Sequence, residues 1–275
     1  MAEITAAEVS RLRKVTGAGM MDCKNALQES GGDFNKAIEI IRKKGQAVAN
    51  KRADREASEG VVIAKTTDDT KRGALIVLNC ETDFVAKNEG FIKFAESILD
   101  KAISENPVNL EELKQLEIDG KTINDKVIEQ VGIIGEKISL SYYDKIESNQ
   151  VIPYIHPGNK LATLVGLNKA ADIQVGKNLA MQIAAMNPVA VDKEDVPPKI
   201  IEKEKEIGRE QARQEGRPEN ILDKIAEGKL NKFFKESTLL NQEYTRDNKM
   251  TIRQYLQEID SELKVTGFRR YSLND

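Results

Sequence analysis

His156 is the one histidine of this chain, and Cys23 and Cys80 are its two cysteines. A structural zinc site needs about four such ligands, commonly with a Cys-x-x-Cys pair, and that spacing is absent. A Cys–His nucleophile would have to recruit His156, which has no orienting group beside it. No Gly-x-x-x-x-Gly-Lys-Ser/Thr loop occurs. Gly17-Ala18-Gly19 runs into Met20-Met21-Asp22, so the dinucleotide pattern fails at its third glycine. The scattered carboxylates read as solvated faces. Nothing here forms a nucleotide-binding or acid–base constellation. The expectation is a protein that is not an enzyme and carries no cofactor and no metal.

The run Asn79-Cys80-Glu81-Thr82-Asp83-Phe84-Val85-Ala86 offers a different chemistry. It follows the apolar, strand-like Ala74-Leu75-Ile76-Val77-Leu78 and precedes a helix-like stretch beginning near Asn88. Thr82 and Asp83 are capping residues at a strand-to-helix corner, set directly before a large aromatic. Such corners face outward and offer backbone N–H groups to a partner. Two readings of Phe84 follow from local chemistry. It is the first core residue of an ordinary capped helix, or an aromatic held out for recognition. With seven Phe, six Tyr and no Trp, the chain has few aromatics to place on a surface.

Positioning such a corner requires a scaffold, and 275 residues are enough for two or more domains. Charged residues make up 32% and the net charge is −3, which suits well-solvated units with modest cores. No apolar run approaches the ~20 residues of a membrane span. Met1-Ala2-Glu3-Ile4-Thr5 is not a basic-then-apolar leader. With two widely spaced cysteines, read as reduced thiols, this points to the cytoplasm and away from membranes.

The first fifty residues read as three short helices. Thr5-Ala6-Ala7-Glu8 is a capping box and Ile4 a staple onto Val9. Val9, Leu12 and Val15 mark a buried stripe that ends at Gly17. A second helix runs from about Met20 to Ser30. Asp33 caps a third that buries Phe34, Ala37, Ile38 and Ile41. The bundle resembles a ubiquitin-associated module. Lys43 to Glu56 reads as a polar linker, helical or not, made basic by Arg42 at its edge and by Lys43, Lys44, Lys51, Arg52 and Arg55. It lacks interleaved aromatics for stacking on bases, so a solvated linker is favoured over a nucleic-acid site.

From Gly60 the period changes to that of strands. Val61–Ala64 and Ala74–Leu78 flank a turn and form a hairpin. Phe91, Phe94, Ala95, Ile98 and Leu99 make a helical stripe, and Val127, Ile128 and Val131 another. A strand is expected over Lys137–Tyr143. A shift of about 89 residues lays Leu75–Asn79 on Leu164–Asn168, Val62-Ile63 on Val151-Ile152, and Phe94-Ala95 on Ile183-Ala184. Asp83-Phe84 falls on Asp172-Ile173. The second copy has Ala171 and Ile173 where the first has Thr82 and Phe84. The first corner therefore carries residues the shared fold does not require.

Pro197-Pro198 opens a charged helix with Ile200, Ile201, Ile207 and Ala212 as its sparse apolar face. Glu215-Gly216-Arg217-Pro218-Glu219 interrupts it. A second arm carries Leu222, Ala226, Leu230 and Phe233, flanked by Ile221 and Ile225. This is an antiparallel helical hairpin that packs on itself. Thr251-Ile252-Arg253-Gln254 is another capping box, and the chain ends in a strand-like Glu262–Tyr271.

Four motifs, in order, carry a resemblance over essentially the whole chain. They are Arg13 with Thr16–Lys24, Asn79–Lys87, Glu227-Gly228-Lys229-Leu230, and Val265-Thr266-Gly267-Phe268. The first two are highly specific. The chain resembles the bacterial elongation factor Ts family, the guanine-nucleotide exchange factors of elongation factor Tu. The resemblance implies an α+β fold: a UBA-like three-helix module with its basic linker at 1–52, and a core N-subdomain at 53–146. A core C-subdomain at 147–196 and 237–275 would be interrupted by a coiled-coil hairpin at 197–236. Both core subdomains would be antiparallel sheets. It also implies that Thr82, Asp83, Phe84 and Val85 intrude beside the partner's magnesium site. Arg13, Met20 and Met21 would dock the N-terminal module, and His156 would face the partner from the second subdomain. Pro157 follows His156 where the family usually has glycine, and the additional C-terminal helix of some members is not in this sequence. Two other classes stay open on residues alone: an RNA-binding translation or stress protein using the basic stretch, and an adaptor that dimerises through its coiled coil. A hydrolase is the weakest reading.

Overall fold

The computed structural model describes residues 4–275. The leader reading of Met1-Ala2-Glu3 lies outside the described residues. Helices α1 (Ala6–Thr16), α2 (Met20–Glu29) and α3 (Phe34–Lys51) form the N-terminal bundle. Thr5 and Glu8 close their capping box, with the Glu8 carboxylate accepting the Thr5 N–H at 2.8 Å. Asp33 accepts the Lys36 N–H and starts α3. Val9, Leu12, Cys23, Ala26, Leu27 and Ala37 are buried between the helices.

Two expectations fail here. Val15 is exposed, because 3.6 residues per turn bring Thr16, seven after Val9, onto the inner stripe instead. Thr16 accordingly donates to the Leu12 carbonyl at 2.8 Å, inside the bundle. The stretch after Arg42 is not a free linker. α3 continues through it to Lys51, and its second half packs along the later helix Ile123–Ile134.

The first sheet is built from β1 (Glu59–Thr66), β2 (Arg72–Cys80) and a later strand. After β2 come the single turn α4 (Asp83–Ala86), α5 (Glu89–Glu105) and α6 (Leu110–Gln115). The ribbon β3 (Glu117–Ile118) and β4 (Lys121–Thr122) leads into α7 (Ile123–Ile134) and β5 (Ser139–Glu147). The order is β1-β2-β5, antiparallel throughout, with Val62 opposite Val77 and Ile76 opposite Tyr143. Strand alternation sends Val61, Ile63, Ile76 and Leu78 to one face, where Phe91, Ala95 and Ile98 of α5 cover them. Val62, Ala64, Leu75 and Val77 point to the other face.

The second sheet repeats the plan. It contains β6 (Gln150–Ile155), β7 (Leu161–Leu167) and, after an excursion, the last strand. Helix α8 (Ile173–Met186) stands where α5 does in the first unit. The excursion is α9 (Pro198–Gln214) and α10 (Leu222–Ser237). The chain returns through β8 (Glu243–Tyr244), β9 (Asp247–Thr251), α11 (Ile252–Ile259) and β10 (Val265–Ser272), giving the order β10-β7-β6. The 89-residue shift therefore superposes central strand on central strand, β2 on β7, and β1 on β6. The two sheets bury a shared layer, in which Val62, Ala64, Leu75 and Val77 meet Val151, Ala162 and Leu164. Each central strand is thus buried on both faces, which explains its unbroken apolar run.

In the helical hairpin the seam differs from the expected one. Ile207 is exposed, and Gly208 and Ala212 face Leu222, Ala226 and Leu230. A side chain at Gly208 would come within 3.1 Å of the Ala226 Cα. The helices approach through small residues, and ion pairs such as Arg209–Asp223 (2.7 Å) flank the seam. Gly216 at φ +72° turns the chain at the tip.

Candidate functional site

Where β2 runs out, Thr82 takes an extended conformation and starts α4 as its N-cap. Its side-chain cap to the Val85 N–H is long, at 3.5 Å. The stronger bonds of Thr82 go elsewhere. Its N–H donates to one carboxylate oxygen of Glu136 at 3.0 Å and its hydroxyl to the other at 2.7 Å. Its carbonyl accepts from the Cys80 thiol at 3.1 Å. Burial, and next the charge of Glu136, push that thiol up to about 12, so Cys80 is a donor in the frame and not a nucleophile.

The preceding residue, Glu81, is anchored as firmly. Its carboxylate accepts the Lys137 backbone N–H at 2.6 Å and the Arg52 guanidinium at 2.7 Å, which hold it below the usual carboxylate range in that order of weight. Lys137 in turn donates its ammonium to the carbonyls of Ala53 and Arg55, just beyond α3. Asp83 pairs with Lys87 one turn on, at 2.6 Å. That hydrogen bond is the main cause of its lowered pKa, and Lys160 adds a smaller attraction. A second cap, Asn88, then starts α5 at the place expected, accepting the Gly90 and Phe91 N–H groups.

On this braced turn Ala86 is buried and Val85 is half-buried against the first core. Phe84 is 83% exposed. The core reading of Phe84 is therefore overturned, and of the four corner residues it is Phe84 that stands fully in solvent. In the second unit Asp172 caps α8 directly, accepting the Gln174 N–H at 2.7 Å, and the helix proceeds without an intervening turn.

His156 lies at the β6–β7 connection, not on the corner itself. Its carbonyl accepts the Asn159 N–H at 3.0 Å around Pro157-Gly158, with Gly158 at φ +91°. That is a type II turn, for which proline then glycine are the favoured central residues, so Pro157 fits this backbone. The His156 ring, exposed, meets the Tyr154 hydroxyl through Nδ1 at 2.9 Å. The turn is tied to the first unit by the Val62 N–H to the Asn159 carbonyl (2.6 Å) and by Lys160 to Glu59 (2.8 Å). This brings the hairpin carrying His156 to the side of the first sheet that bears Asp83.

Arg13, Met20 and Met21 come together elsewhere. With Ile4, Val9 and Lys24 they line a shallow depression on α1 and α2. Met20 and Met21 are 61% and 64% exposed, so neither is a core residue of the bundle. From sequence, no role at the corner falls to Glu136, Lys137, Arg52 or Lys87. Lys87 had a readable signal, its spacing of four from Asp83. Glu136 and Lys137 lie more than fifty positions from the corner, and no local pattern links them to it. Among the described residues no group of three or more His, Cys, Asp or Glu converges as metal ligands do, and no helix is long and apolar enough to cross a membrane.

Comparison with known sequences bears on the same span. The sequence model of a family described as Elongation factor TS matches residues 81–275, from the corner through β5, the second sheet and the hairpin. The chain belongs to the elongation factor Ts family. It is similar over its length to an elongation factor Ts of Porphyromonas gingivalis, 53% identical over 272 residues and covering 98% of each chain. An elongation factor Ts of Christiangramia forsetii is 52% identical over 275 residues, 99% of this chain and 100% of its own. One from Chlorobium phaeobacteroides is 44% identical over 286 residues, 99% of each. These elongation factor Ts relatives extend the match across the N-terminal helices, which the family span leaves out.

Proposed function

We propose that this chain is a guanine-nucleotide exchange factor that binds elongation factor Tu in its GDP-bound and nucleotide-free forms and promotes replacement of GDP by GTP. The observation that carries this reading is Phe84, an aromatic 83% exposed on a four-residue turn whose base is fastened by charged hydrogen bonds. Exchange needs no acid, base or nucleophile on the factor. It needs tighter binding to the empty GTPase than to the nucleotide-bound one, and by linkage the factor then lowers nucleotide affinity equally.

In this mechanism Thr82, Asp83, Phe84 and Val85 form the intruding element. Phe84 enters between elements of the partner's G domain as an apolar wedge. Asp83 brings negative charge to the same edge. The intrusion displaces the magnesium ion that bridges phosphates and protein, and GDP leaves faster. Arg13, Met20 and Met21 supply a second contact; adjacent exposed methionines are flexible and apolar, as a docking surface requires. His156 contacts the partner from the second sheet.

Release of labelled GDP from elongation factor Tu, with and without this protein, tests the reading. Acceleration without nucleotide hydrolysis by the isolated chain is the expected result. Unchanged GDP dissociation at saturating protein overturns it.

A further inference from the structure

A four-residue helix does not hold its own shape. Nucleation of one turn fixes several dihedrals for a few hydrogen bonds, here Ala86 N–H to Thr82, Lys87 N–H to Asp83 and Asn88 N–H to Val85. Phe84 contributes no packing to it, being in solvent. The threonine cap is at the limit of hydrogen-bond length. Ala86 and Val85 pack the C-terminal part of the turn on the first core, and the strongest grip on its start is Glu136. That carboxylate takes both donors of Thr82, the backbone N–H at 3.0 Å and the hydroxyl at 2.7 Å. Charge-assisted bonds to two atoms of one residue set its orientation as well as its position.

Glu136 is itself well placed to be rigid. It follows Gly135, the left-handed residue that ends α7 at φ +80°, and precedes Lys137, whose N–H and ammonium are both engaged. α7 is packed on α3 so closely that Gly132 and Gly45 meet backbone to backbone. α3 ends at Arg52, which holds Glu81. The grip on the corner thus descends from a helix pair and not from a loose loop.

We propose that Glu136 is a positioning residue for nucleotide exchange: its carboxylate, clasping the N–H and hydroxyl of Thr82, holds the α4 turn so that Phe84 projects at a fixed angle. The inference rests on the exchange reading above. It concerns reach and not charge, which makes its test specific. In Glu136→Gln the amide oxygen accepts the Thr82 N–H and the amide nitrogen donates to the Thr82 hydroxyl oxygen, so both links survive without the charge. In Glu136→Asp the charge survives but the carboxylate withdraws by about 1.5 Å, one carbon–carbon bond, and the double clasp is lost. Glu136→Ala removes both.

Two measurements decide it. The first is amide hydrogen exchange at Ala86 and Lys87 in the free protein, which reads the corner without any partner. It is expected to quicken in the Ala and Asp variants and to stay near the parent in the Gln variant, while amides of β2 remain protected in all three. The second is the rate of GDP release from elongation factor Tu at saturating factor, with half-saturation recorded separately. The Ala and Asp variants are expected to lose roughly tenfold or more in the saturated rate, the scale of a lost charged hydrogen bond. The Gln variant should keep most of the rate, and half-saturation should move less than the rate does. A Gln variant that fails with Ala while Asp works would show that charge matters and reach does not, overturning the proposal. So would a loosened corner with unchanged release, or an unloosened corner in the Ala variant. If Glu136→Ala does not fold, the Gln–Asp contrast alone decides. The parent protein serves as the control for the reading beneath: if it does not accelerate GDP release, the exchange reading has failed, whereas a parent that accelerates release and a Phe84→Ala variant that does so equally overturn the wedge and the role of Glu136 together.

Discussion

The exposure of Phe84 lets its proposed role be tested apart from stability. A buried phenylalanine costs ~3–5 kcal/mol on truncation to alanine. Phe84→Ala, in solvent, is expected to change stability by less than about 1 kcal/mol and to slow GDP release substantially, as thermal melts and release kinetics would show. Asp83→Ala should slow release less, and the double variant should be less than additive, since both residues act through one local step. The corner also has an acid limit. Glu81 and Asp83 both bind protons less readily folded than unfolded, because of the Lys137 N–H and Arg52 in one case and Lys87 in the other. Their stabilisation is complete above the unfolded carboxylate value of about 4 and is lost as pH falls through their lower folded values. An acid titration of the Lys87 ammonium and the Lys137 amide by NMR should show those bonds weakening in that window, and Glu81→Gln should remove the Lys137 part of the change.

Among elements, the contact of α3 with α7 is the one that ties the N-terminal helices to the core. A side chain at Gly132 would sit 2.6 Å from the Gly45 Cα, a backbone atom that has nowhere to go. A side chain at Gly45 would sit 3.6 Å from the Gly132 Cα, an ordinary contact. The two glycines are therefore not equivalent. Gly132→Ala is expected to destabilise by about 1–3 kcal/mol, the usual cost of overpacking, and to expose α3 to limited proteolysis. Gly45→Ala should be close to neutral or slightly stabilising, since it also raises helix propensity. Calorimetric melts of the two variants would expose any symmetry between them. The hairpin follows the same logic at Gly208, where a narrow seam of small residues replaces the isoleucine face.

At the scale of the molecule, two like sheets share one buried layer, and the N-terminal helices are joined to the first of them by a packed helix and not by a flexible tether. Removing residues 1–51 strips Val48 and Ala49 from the first core as well as the proposed docking face of Arg13, Met20 and Met21. The remaining chain is expected to melt cooperatively at a temperature several degrees lower, and to lose affinity for elongation factor Tu by more than that loss of stability explains. Calorimetry beside a binding titration would separate the two. A non-cooperative melt would make the N-terminal helices part of the core fold and defeat the boundary near residue 52. His156 and the corner are carried by different sheets, so their spacing depends on the shared layer of Val62, Leu75, Val151 and Leu164.

The sequence by itself determined the local order of this protein. Caps at Thr5, Asp33 and Thr251, the helix start near Asn88, the apolar runs of β1, β2 and β7, the Gly-x-Pro tip and the 89-residue repeat are all patterns legible along the chain, and the chain folds as they say. The motif residues were enough to name a family. What the tertiary structure decided lies in contacts between distant segments. Local chemistry allowed Phe84 to be core or surface; only the arrangement of β2, α5 and the second unit leaves it in solvent. It allowed Lys43–Glu56 to be a linker; Gly132, almost ninety positions beyond Gly45, made it a packed helix. Glu136 had no signature at all, because a carboxylate that clasps Thr82 from fifty-four residues away leaves no periodicity to read. Local patterns report backbone preference and burial, and those are properties of a few neighbouring residues. Which side chain braces a functional corner is a property of where the fold returns.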